Sequence, residues 1–178
     1  LNIVNSDIIK ELFSILKFLN SPTDEIAFTS FITSSIFIQQ TNLSKNEILD
    51  FIVNNSLNKN KQNVLYILFR ERYPDIWEEY IEPFFNSVGF IAVYELTVAV
   101  ISKYNVIDNF KNSNNVILRF LEVVSAFEAQ NQGLQNFIDY FQNTEQRKQD
   151  NEFFIKIPSS NAIRIITAHK AKGLQFNV

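Results

Sequence analysis

Cysteine and methionine are both absent from the 178 residues, and histidine occurs once. Without cysteine neither a disulfide frame nor a thiolate metal site can form, which fits a reducing compartment. With His169 as the single histidine, no metal-ligand set and no nucleophile–base pair is present. The chain also lacks a G-x-x-x-x-G-K-[ST] loop, so it cannot cradle a triphosphate by itself. Positive charge is not in excess: the net charge is −3 and the pI about 5.2. No general field draws phosphate backbones in, so any nucleic-acid contact must be local. A long apolar run is missing too. The charge-free stretch from Ile26 to Ser44 is broken by Thr29, Ser30, Thr33, Ser34, Ser35, Gln39 and Gln40. A membrane span needs roughly 18 or more mostly apolar residues. The expectation is therefore a soluble, cytoplasmic protein with no membrane contact. Starting at Leu1 and stopping at Val178 in mid-pattern, the sequence reads as a piece of a longer protein.

What is present is globular. Hydrophobic residues make up 46% and charged residues 20%, and 18 phenylalanines can fill a core with large rings. Helical periodicity dominates as far as residue 150. Ile8, Ile9, Leu12, Phe13, Ile15, Leu16 and Leu19 form an i, i+3, i+4 stripe after Asn5-Ser6. Ser21-Pro22-Thr23-Asp24 predicts an N-cap followed by Pro at the first helical position, opening a second helix to about Phe37. Ser44-Lys45-Asn46-Glu47 is a capping box ahead of Ile48, Leu49, Ile52 and Val53. After an Asn-rich stretch over 54–63, read as a loop or a frayed helix end, a helix over about 62–72 should stop at Tyr73-Pro74, since Pro disfavours helical geometry in the residue before it. Helix continues over 75–86 with a break at Pro83, Gly89 punctuates the chain, and further amphipathic helices are expected at about 114–130 and 133–145. The aromatic positions Phe84, Phe85, Phe90 and Tyr94 are expected in the core. The acidic pairs Asp24-Glu25 and Glu78-Glu79 read as helix-start and solvated-face charges, because adjacent helical positions do not face one another.

Near residue 152 the helical period is lost. Phe153-Phe154-Ile155-Lys156-Ile157 and Ala162-Ile163-Arg164-Ile165-Ile166-Thr167 are short, β-branched and aromatic, as strands are. The fold class is thus mostly α, a multi-helix domain over 1–151, followed by a short β element in 152–178 that belongs to a neighbouring domain. The second strand ends by delivering Thr167, His169, Lys170, Lys172 and Gly173 together. Groups at the carboxyl end of a strand sit where α/β sheets bind ligands. Gly173 permits close backbone approach, and the two lysines can meet phosphates. A histidine taken alone is ordinarily a surface or satisfied core residue, and two lysines alone are a solvated loop; the surrounding pattern is what reverses that reading.

The segment Thr167-Ala168-His169-Lys170-Ala171-Lys172-Gly173-Leu174-Gln175-Phe176 resembles motif V of superfamily 1 DNA helicases of the UvrD/Rep, RecB and AddA type, T-x-H-x-x-K-G-L-E-F after a strand. Six positions match, and Gln175 stands in place of the usual Glu. The stretch Leu19-Asn20-Ser21-Pro22-Thr23-Asp24-Glu25-Ile26-Ala27 is similar to the L-x-x-P-x-D-x-x-A opening that follows motif IV in RecB/AddA-type members. The resemblance implies that 1–151 is the helical insertion called 2B and 152–178 the return into the second motor domain. It implies single-stranded DNA contacts by Thr167, His169, Lys170 and Lys172, and Gly173 and Gln175 beside the ATP ribose. An amide at 175 can accept a ribose hydrogen bond but lacks charge, so nucleotide affinity should be weaker. The parent would be an ATP- and Mg2+-dependent helicase of DNA repair and recombination, with or without an exonuclease. Its partners would be single-stranded and duplex DNA and a nuclease or helicase subunit, and the piece alone would be inactive. The alternative from another class is a helical protein-interaction module without motor function.

Overall fold

The computed structural model describes residues 2–56, 64–130, 133–146 and 153–154. The helices follow from local sequence. A one-turn 3-10 helix at Ile3–Asn5 leads into α1, Asp7–Asn20, whose apolar stripe is buried from Ile8 to Leu19 with Phe13 half-buried. Asp24 takes the N-cap of α2, Glu25–Ile32, its carboxylate accepting from Ala27 N at 2.9 Å. This corrects the sequence expectation. Pro22 lies in the turn before the helix, because the carboxylate and not the pyrrolidine ring meets the free amides of the first helical turn.

A second correction concerns the helix expected to run to about Phe37. It breaks at Thr33-Ser34, and α3 begins afresh over Ser35–Thr41. Ser34 is extended at φ −67 and ψ 152, and its hydroxyl accepts from Phe37 N at 3.2 Å. Side-chain oxygens that bond nearby backbone compete with helix continuation, and here two adjacent hydroxyl residues do so. The Thr33 hydroxyl donates back to Thr29 O at 2.7 Å and closes the preceding turn.

The capping box forms as read. In α4, Lys45–Ser56, Ser44 N donates to Glu47 Oε2 at 2.8 Å and Glu47 N donates to Ser44 Oγ at 3.2 Å. The inward residues of α4 are Ile48 and Phe51, while Leu49 and Val53 face solvent. Next come α5, Leu65–Arg72, α6, Pro74–Tyr80, and the short α7, Glu82–Phe85. Tyr73, non-helical at φ −131 and ψ 62 ahead of Pro74, makes the predicted stop, and Pro83 sits in the first turn of α7 where its missing N–H costs nothing. Gly89 turns the chain at φ +83, and α8, Val93–Lys103, follows. A one-turn α9, Val106–Asn109, and a 3-10 turn at Lys111–Ser113 precede α10, Asn114–Glu128. The last described helix is α11, Leu134–Gln146.

Helix α1 is the spine. It packs against α2, α3, α10 and α11, while α8 lies on α10 and α5 touches α2, α4 and α6. Two aromatic clusters meet on it. Phe18 touches the rings of Phe28, Phe31, Tyr66 and Phe85, and Phe13 lies 4.6 Å from Phe141. Each such pair adds about 0.5–1.5 kcal/mol beyond the area it buries. The buried polar end of the core is Tyr104, whose hydroxyl donates to Tyr80 O at 2.8 Å. The fold is mostly helical, as the sequence predicted; among the described residues the β pairing consists of one antiparallel bridge, Asn2 with Phe154. No helix among the described residues is long and apolar enough to cross a membrane.

Candidate functional site

The predicted site residues Thr167, His169, Lys170, Lys172, Gly173 and Gln175 lie outside the described residues, as do 155–157 and the strand expected over 162–167. What the structure positions is the point from which that segment departs. Asn2 caps the first 3-10 turn, its side chain accepting from Val4 N at 3.0 Å, and its backbone bridges to Phe154. Phe153 is 1% exposed and its ring stands 5.7 Å from both Tyr140 and Phe141 on α11. The chain leaving the helices is therefore locked into the core beside the chain arriving at them.

Charge divides at the same place. Residues 2–146 hold 17 Asp and Glu against 10 Lys and Arg, whereas residues 155–178 hold four Lys and Arg and no Asp or Glu. The net charge of −3 conceals an acidic helical body and a basic C-terminal segment. That split was legible in the sequence and is lost when charge is summed over the whole chain.

Among the described residues no group of three or more His, Cys, Asp or Glu is placed to hold a metal ion. A cleft of about 620 Å3 between α4 and α5 is lined by Glu47, Asp50, Glu71, Arg72 and Tyr73. The Ser44 hydroxyl and then the Ser44 backbone N–H hold the Glu47 carboxyl below its usual range. These are capping interactions at a fully solvated carboxylate, not the desolvation that tunes a catalytic acid. Elsewhere on the surface Glu79 pairs with Lys103 at 3.6 Å, and the Lys103 ammonium stands 4.7 Å over the Tyr80 ring. Burial, with Tyr80 adding to it, pushes the Tyr104 phenol well above the ordinary value, so it acts as a neutral hydrogen-bond donor in the core.

One feature of the surface was not anticipated. Phe84 is buried and Phe85 packs against the core, but Phe90 is 89% exposed and Tyr94 is 38% exposed. The expectation that Phe90 and Tyr94 are core residues is corrected. Helix α7 ends at Phe85 and Gly89 reverses the chain, so Phe90 falls on an outer turn. On α8 the inward face is Val93, Leu96, Thr97 and Val100, which leaves Tyr94 and Val98 on the outer side. Tyr94 and Val98 recur at i and i+4, the spacing of one helical face, and this was the signal available in the sequence.

No family model, no curated protein and no solved structure matches this chain.

Proposed function

We propose that this chain is the helical insertion of a superfamily 1 DNA helicase of the UvrD/RecB/AddA type, together with the motif that returns to the motor. One observation supports this most. Residue 2 and residue 154 are antiparallel neighbours, so the helical unit is reached and left at one place, as a unit inserted into another domain requires. The T-x-H-x-x-K-G-L sequence begins thirteen residues after that bridge, at Thr167. The charge division agrees with it. Phosphates are attracted by the basic segment and repelled by the acidic helices, so Thr167, His169, Lys170 and Lys172 carry the single-stranded DNA contact in this reading. Gly173 and Gln175 lie beside the ATP ribose. ATP and Mg2+ are held chiefly by motor residues beyond this chain, which has no phosphate loop of its own. The helical unit moves as a lid relative to the motor and modulates unwinding.

The test is fluorescence anisotropy with a labelled thymidine oligonucleotide and the purified chain. Binding is expected to be weak and steeply salt-dependent, at about 0.7 in the log–log slope per phosphate neutralised. The triple variant His169→Ala, Lys170→Ala, Lys172→Ala should lose it, and in the parent protein should lose DNA-stimulated ATP hydrolysis. A triple variant that binds and turns over like the original refutes the site. So does DNA-dependent ATP hydrolysis by the isolated chain.

The second reading, a helical protein-interaction module, draws on the exposed aromatic surface around Phe90.

A further inference from the structure

Where α1 ends, away from the Asn2–Phe154 bridge, the surface opens into a groove of about 640 Å3. The length of α1 separates the two places by about 20 Å. Its apolar lining includes Val88, Phe90 and Ile91 in the turn before α8, Leu96 on α8 and Leu134 at the start of α11. The turn is set by its backbone: Phe90 N and Ile91 N both donate to Ser87 O, at 3.1 and 3.3 Å. At φ +83, Gly89 adopts a conformation that other residues rarely take. Phe90 is thereby held outward, the most exposed of the large hydrophobic residues among those described. The apolar line continues along α8 through Tyr94 and Val98, 38% and 37% exposed. Scattered single apolar residues are ordinary on a surface, but Phe90 and Ile91 at the groove, followed by Tyr94 and Val98 on α8, put four exposed apolar side chains within nine residues, the mark of an interaction site.

The charge around the groove selects the occupant. Glu128 is the one charged residue among its described lining, and its carboxylate accepts from Val93 N at 2.8 Å and Tyr94 N at 3.3 Å. Glu95, exposed, follows Tyr94 on the outer side of α8. Nucleic acid would bring phosphates against these carboxylates. A second copy would set the same acidic rim against itself. A segment with apolar side chains and flanking positive charge meets both the ring and the rim.

We propose that this groove docks a short basic and apolar segment of a partner protein. An aromatic or aliphatic side chain covers Phe90 and enters between Val88 and Leu134, and a Lys or Arg lies against Glu95 and Glu128. The inference does not rest on the motor reading.

The experiment is a random-peptide display selection on the full 178-residue chain, with Phe90→Asp and Val98→Lys as counter-targets. Both substitutions fall on exposed side chains, and far-UV circular dichroism checks that helix is retained. Recovered peptides should carry Lys or Arg next to an aromatic or aliphatic residue. A synthetic copy should bind roughly tenfold more weakly to Phe90→Asp, as loss of an interface anchor gives, and should also weaken on Glu95→Lys. An empty selection, peptides without basic residues, or equal binding to Phe90→Asp overturns the proposal. So does a concentration-dependent dimer, or DNA binding, that Phe90→Asp abolishes. None of these variants touches residues 155–178, so failure here leaves the DNA-binding test standing, and the reverse.

Discussion

Glu11 offers the sharpest test of how the helices are fastened. Its side chain leaves α1 and reaches the first turn of α3, where both carboxylate oxygens accept from the Ser35 hydroxyl, at 2.8 and 2.7 Å. Oε2 also accepts from Ile36 N at 3.1 Å. Ser34 separately caps Phe37 N, so the two side chains share the free amides of one helix start. Glu11→Ala removes a charged acceptor from two donors at once. Hydrogen bonds to charged groups contribute about 1.5–3 kcal/mol, and because Glu11 is only half-buried, water replaces part of what is lost. The expected destabilisation is about 2 kcal/mol, which in a domain of this size lowers Tm by roughly 4–8 °C. Glu11→Gln keeps one acceptor oxygen without the charge and should cost about half as much. Urea unfolding followed by far-UV circular dichroism, with a thermal melt in parallel, gives both numbers. A Glu11→Ala loss within about 0.5 kcal/mol, the range of ordinary surface substitutions, would refute the reasoning.

Three further outcomes are expected. Phe18→Ala empties a fully buried site shared by four other rings and should cost about 3–5 kcal/mol in the same urea assay; a cost below that of Glu11→Ala contradicts the central place given to this ring. Tyr104, held above the ordinary phenol value of 10.0 by burial and then by Tyr80, keeps its proton when folded while the unfolded chain releases it. The unfolded state then binds fewer protons, so stability falls as pH rises above about 10. Tyr104→Phe should flatten that alkaline decline while costing about 1 kcal/mol at neutral pH through the lost bond to Tyr80 O; an unaltered alkaline slope would count against it. Ser44→Ala should let the Glu47 carboxyl rise toward 4.5, read by NMR titration of the side chain, and an unmoved titration would mean that the capping box is not populated in solution.

The parts of the fold written in side-chain pattern were legible. The stripe from Ile8 to Leu19, the box at Ser44 and Glu47, and the stop at Tyr73-Pro74 are each decided within a few residues, and each is found where the pattern puts it. Legibility fails where one residue type serves two purposes. Ser34 fits the interior of a helix and equally the cap of the next, and only the arrival of Glu11 from α1 beside it favours the second. Pro22 and Asp24 both signal a helix start, and the carboxylate's bond to Ala27 N decides between them. Phe90 shows the same limit in another form. Hydrophobicity says that a ring belongs inside, whereas which side of a turn it occupies depends on where α7 ends and on the conformation of Gly89. The motif from Thr167 to Phe176 is the most informative stretch of the sequence, and it falls outside the described residues.

The pairing of Asn2 with Phe154 also has a mechanical side. Two backbone segments running in opposite directions through one contact make a narrow stem. A pull applied through both would peel that contact apart before any helix felt tension, because force entering at neighbouring points does not stretch the body between them.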